Sequence, residues 1–136
     1  MVVVVRVLKE DMMAMISGQF CVTVNRGFFW LDFRVSSVLN RDVKQYGKKY
    51  LFDCNEETCW NSDQGERQWV ILEFPQSVKV SELRIQFQGG FSAGTCRLEG
   101  CQKEGDFNAM GQFYPEDNNC LQISFSLTVT FECRSF

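Results

Sequence analysis

The chain has 136 residues, room for one domain with a sizeable core and little else. Its composition is 45% hydrophobic and 14% aromatic, which excludes wholesale disorder, and its net charge of −3 argues against binding nucleic acid through a broad positive field. It contains no histidine, which removes Ser-His-Asp and Cys-His catalysis and histidine metal ligation.

In chain order, residues 1–33 read as an atypical extension. Val2 to Leu8 favours a strand, Met12 to Ile16 is a short apolar patch, and Phe28 to Leu31 is a dense apolar run. No sustained period of two or of 3.6 unites these pieces. The expectation is an appendage that either adds a strand or stays poorly ordered. The opening valines do not make a signal peptide, because Arg6, Lys9, Glu10 and Asp11 interrupt the apolar run. No stretch approaches the roughly 20 apolar residues that span a bilayer.

From Arg34 the chain becomes orderly. Val35 to Leu39 leads into a polar connection through Gly47 that ends near Tyr50-Leu51-Phe52. Its basic residues, Arg41, Lys44, Lys48 and Lys49, read as a solvated surface. A long loop then runs from Asp53 to Gly65. Trp69 to Phe74 alternates, with Val70, Leu72 and Phe74 on the core side because Glu73 marks the wet face. Leu83, Ile85 and Phe87 alternate with Arg84, Gln86 and Gln88, the pattern of a strand with one solvated face. Gly89-Gly90 ends that strand. Thr95 to Glu99, Gln112 to Tyr114, Leu121 to Phe125 and Leu127 to Phe131 are further short strands, with a turn at Pro115 to Asn119. Short strands separated by Gly, Asn, Asp and Ser predict an all-β sandwich.

Seven cysteines stand at positions 21, 54, 59, 96, 101, 120 and 133. An odd number without a secretory address favours reduced thiols. The pairs Cys54/Cys59 and Cys96/Cys101 have a spacing seen at zinc sites, but the residues between them lack a knuckle shape, and buried thiols explain the count as well.

Several runs go beyond a generic fold signature. Arg34 to Arg41, Gly47-Lys48-Lys49, Leu51-Phe52-Asp53 and Glu56 to Gly65 are four of them. Gln86 to Phe91, Leu98-Glu99-Gly100 and Phe113 to Asn119 are three more. Over about residues 34–132 the chain resembles the nuclear receptor subfamily 2 group C member 2-associated protein family. The resemblance implies a discoidin-like, galactose-binding-like jelly roll at 34–136. It implies a non-enzymatic partner of an orphan nuclear receptor that represses transcription, in the nucleus and in part the cytoplasm, without direct contact to nucleic acid or membrane. Residues 1–33 and Cys133 to Phe136 depart from the family pattern, which implies alternative splicing or a misassigned gene boundary at both ends, with the final strand missing.

The candidate contact residues are Asn61, Ser62, Asp63 and Gln64 in the long loop and Glu116, Asp117, Asn118 and Asn119 in the acidic turn, since polar loops at a sandwich end are where such modules bind. Trp60 and Trp69 read as core pillars before they read as ligand platforms. Related sugar-binding modules hold calcium at the long loop, so Asp53, Asn55 and Thr58 are candidate oxygen ligands. The plainer reading is that Asp53 caps backbone amides of its own loop. A carbohydrate-binding module with a structural calcium ion is the alternative function. Glu56 and Glu57 are adjacent and point apart on an extended segment, so they do not make an acid–base pair.

Overall fold

A computed structural model describes residues 2–9, 13, 15–24, 32–55, 57–74, 80–101 and 107–126. The apolar run Phe28 to Leu31, Glu56, the expected strand Leu127 to Phe131 and the ending Cys133 to Phe136 lie outside the described residues.

The expected all-β sandwich is what forms. The strands are β1 (Val2–Leu8), β2 (Ser17–Val24), β3 (Asp32–Val35), β4 (Trp60–Asn61), β5 (Arg67–Glu73), β6 (Val80–Phe87), β7 (Thr95–Cys101), β8 (Asn108–Phe113) and β9 (Leu121–Ser126). A five-stranded sheet has the order β3-β5-β1-β7-β8, and a four-stranded sheet the order β4-β2-β6-β9. Every pairing is antiparallel. The connection from β3 to the long loop carries a short helix, α1 (Val43–Tyr46), between two single turns of 3-10 helix.

The early segment, expected as an appendage, supplies two interior strands. β1 lies between β5 and β7, with Val2 opposite both Glu73 and Cys101. Its run of valines has no alternation because the strand is central in its sheet and Val4 is buried on the outer face as well. Val3, Val5 and Val7 enter the core between the sheets, while Val4 is buried on the other face, where its register neighbours are Ile71 and Glu99. A continuous apolar run is the signature of a central strand, whereas period two marks a half-solvated one. On that outer face Arg6 donates to Glu99 at 2.7 Å.

The core follows the alternation read from the sequence. Val70, Leu72 and Phe74 face Leu83, Ile85 and Phe87, joined by Phe20, Leu98, Cys96 and Met110. Trp60 is fully buried, and its indole N–H donates to the Ser37 carbonyl at 2.9 Å, which satisfies the one polar atom the ring carries inward. Trp60 is thus a core pillar. Trp69 is half-buried on the outer face of the larger sheet.

Candidate functional site

The long loop is held together from within. Asp53 Oδ1 accepts from the Asn55 amide at 3.1 Å, and Oδ2 accepts from the Thr58 hydroxyl. Asn55 Oδ1 accepts in turn from the Glu57 amide at 3.0 Å. Side-chain oxygens that bond backbone two residues on are Asx turns, the reason Asp and Asn recur in such loops. Gln19, reaching across from β2, anchors the whole arrangement. Its Nε2 donates to Asp53 Oδ1 at 2.9 Å and to the Asn55 carbonyl at 2.6 Å, and it also reaches the Thr58 carbonyl.

Those three oxygens are of the kind a hard cation takes, and they converge on one point. The amide nitrogen of Gln19 holds that point. Calcium wants about six to eight oxygens, several of them anionic. Here one carboxylate takes part, and no group of three or more His, Cys, Asp or Glu side chains converges among the described residues. In this arrangement Asp53, Asn55 and Thr58 close a polar loop on Gln19.

The rest of the loop divides between structure and surface. The Ser62 side chain is buried: its hydroxyl accepts from the Ile16 amide at 2.9 Å and donates to the Asp63 carbonyl at 2.9 Å. Asn61 is half-buried and bonded to the Ser17 hydroxyl. Asp63 and Gln64 stand out in solvent. Of the four residues singled out here, two hold the loop to Ile16 and Ser17 at the start of β2, and two are open to a partner.

The acidic turn is knitted in the same way. Asp117 accepts from the Gly90 amide and Asn119 Oδ1 from the Gly89 amide, each at 2.7 Å. These are two donors of the tight turn after β6, where Gly90 takes a φ of 88° that a side chain would strain. Gln86 Nε2 donates to the Asn119 carbonyl at 2.8 Å. The Glu116 amide donates to Gln122 Oε1 at 2.8 Å, and Asn118 Nδ2 donates to Glu116 Oε2 at 3.1 Å. The hydrogen bond from Gly90, helped by Ser92 and by the charge of Lys9, holds the Asp117 carboxyl below the usual carboxylate range.

Between the two loops lies an open polar cleft of about 460 Å³. Gln19, Gln86 and Gln88 form its floor, Glu57 to Cys59 one wall and Asn119 the other. The sequence singled out both loops but not this floor, although Gln86 and Gln88 on the wet face of a clean alternating strand carried the signal. The cleft is rich in amides and poor in reactive groups. Burial pushes the Cys59 thiol up, against a hydrogen bond from Asn61, and the nearby Asp53 charge adds to the rise, so the sulfur stays protonated at neutral pH. The two spaced cysteine pairs do not assemble a cage among the described residues: Cys96 sits in the core with its thiol pushed up by burial, while Cys54 is exposed.

No protein-family model matches the chain, and no solved structure matches it. Curated proteins do match. A zebrafish (Danio rerio) protein is 72% identical over 89 residues, covering 65% of this chain and 63% of its own length. A human protein is 64% identical over 89 residues, with 65% and 64% covered, and a Xenopus laevis protein 68% identical over the same number. This chain is similar to nuclear receptor 2C2-associated protein, the name all three relatives carry. The match spans just under two thirds of those relatives' length, and identity at this level bears out the resemblance carried by the quoted motifs.

Proposed function

We propose that this chain is a non-enzymatic interaction module that binds an orphan nuclear receptor and represses its transcriptional activity, acting in the nucleus. The observation that carries the reading is the 64–72% identity to proteins named for association with a nuclear receptor. The cleft supports it in a second way: its described lining residues offer amides, a protonated thiol and one carboxylate, with no nucleophile–base pair among them. Asp63, Gln64 and Glu116 are the exposed loop residues through which contact is proposed. Repression would follow by occlusion, the module covering receptor surface needed by another partner. The carbohydrate-binding alternative finds no support in these relatives.

Titration of the purified chain into a purified orphan-receptor ligand-binding domain, followed by calorimetry, tests the binding. A receptor-driven reporter, with and without the chain, tests the repression. Saturable heat weakened by Asp63→Lys and Glu116→Lys, with a lowered reporter signal, is expected. Absence of heat, or a reporter signal that does not fall, overturns the reading.

A further inference from the structure

A second surface, outside both loops, has a different chemistry. Where α1 packs beside the β3–β5 edge, an open hollow of about 560 Å³ has an apolar floor of Val35, Val38, Val43 and Trp69. Its rim is basic: Arg34, Lys44, Lys48 and Lys49. Val43 is 61% exposed. Arg34 is paired with Glu73 at 3.0 Å, and Lys48 with Asp32 at 3.5 Å. Among the described residues neither Lys44 nor Lys49 has an acidic partner. In a chain of net charge −3, a cationic ring around an apolar floor is a local inversion of the protein's own charge.

The hollow is also held in shape. Tyr50 donates its hydroxyl to the Lys44 carbonyl, Asp42 caps the Gln45 amide at 3.2 Å, and Gly47 lets the chain pass so close that a Cβ there would lie 2.3 Å from the Val43 carbonyl oxygen. A preformed site loses less entropy on binding than one that must order itself.

We propose that this hollow docks a short acidic segment of a partner protein, which presents one bulky apolar side chain between its carboxylates. Charge complementarity selects the occupant. The apolar side chain fills the floor over Trp69 and Val43, and the flanking acids meet Lys44 and Lys49. A second copy of this chain is the other candidate occupant, since it exposes apolar side chains such as Tyr114, two residues from Glu116. Such a contact would join two different patches of the surface, and the test separates it from a partner segment. The proposal stands apart from the receptor reading, which uses the loops.

The test is fluorescence anisotropy with a labelled synthetic peptide in which one leucine is flanked on both sides by aspartates and glutamates. Control peptides replace the leucine by alanine or the acids by lysines. Binding of the acidic leucine peptide is expected. Lys44→Glu with Lys49→Glu should weaken it about tenfold or more. Val43→Asp should do the same, with unchanged thermal melts since all three residues are exposed. The alanine peptide should bind about tenfold more weakly. Four results overturn the proposal: no binding, equal binding of the alanine peptide, insensitivity to the variants, or binding to phosphatidylserine vesicles that depends on these residues where peptide binding does not. Concentration-dependent self-association abolished by the same variants also overturns it, in favour of a second copy.

Discussion

The long loop and the connection around α1 both lie at the surface, yet they treat their polar groups in opposite ways. From Asp53 to Ser62 nearly every conspicuous side chain is spent within the chain, on an Asx turn, on Gln19 or on β2. Around α1 the conspicuous groups point outward: an exposed valine, and two lysines with no acidic partner among the described residues. A dense polar motif can therefore be a structural device, while a plain basic stretch offers the unmatched chemistry a partner can use. Buried polar groups must find partners, and exposed ones need not.

The sharpest way to break the comparison is to attack what both regions stand on. Val5→Asp places an unpaired charge in the core and should abolish the cooperative melt, since a domain's whole stability is about 5–15 kcal/mol. Trp60→Ala removes the pillar beneath the long loop and leaves the Ser37 carbonyl without its donor. A loss of about 3–5 kcal/mol in urea denaturation is expected. Gly47→Ala drives a methyl into the Val43 carbonyl, so the α1 connection must shift. A loss of roughly 1–3 kcal/mol follows, with the hollow's peptide affinity falling alongside.

Smaller effects separate the loops. Asp53→Ala removes one of Gln19's three acceptors and frees two loop donors at an exposed site, and should cost about 1 kcal/mol. Adding calcium or a chelator should leave the melt of the unmodified chain where it was, because Gln19 holds the point where the loop's oxygens converge. A calcium-dependent rise would show that Gln19 gives way. Asp117 has a lowered folded pKa, so the stability it contributes is fully present above its ordinary value of 3.8 and is lost as pH falls through the folded value. Asp117→Asn should therefore be less stable than the unmodified chain at neutral pH, and the two should converge in strong acid. Urea midpoints at several pH values check this.

Much of the fold was legible. Val70, Leu72 and Phe74, and Leu83, Ile85 and Phe87, announced their buried faces by period two, and all six are buried. Val2 to Leu8 was legible as a strand, and it is one, but its central place was not: four valines in a row show no period and look the same whether they frame a sheet or trail from it. The site was less legible. Asp53 as a loop cap was within reach, since Asx chemistry is local. Gln19 as its anchor was not, because it comes from a strand 34 residues earlier in the chain. The hollow was read as solvated charge because Trp69 and the lysines meet only when β5 pairs with β3.

The central place of β1 also sets an order of events in time. Its two neighbours are separated from it by most of the domain, with Val2 matched to Cys101. At a synthesis rate of roughly 5–20 residues per second, the valine run waits about 5–20 s for its second flank to exist. During that wait a β-branched, largely apolar stretch keeps at least one edge open, the condition under which chains pair with one another. Arg6, in the midst of that stretch, is then its one charged gatekeeper before it becomes the partner of Glu99.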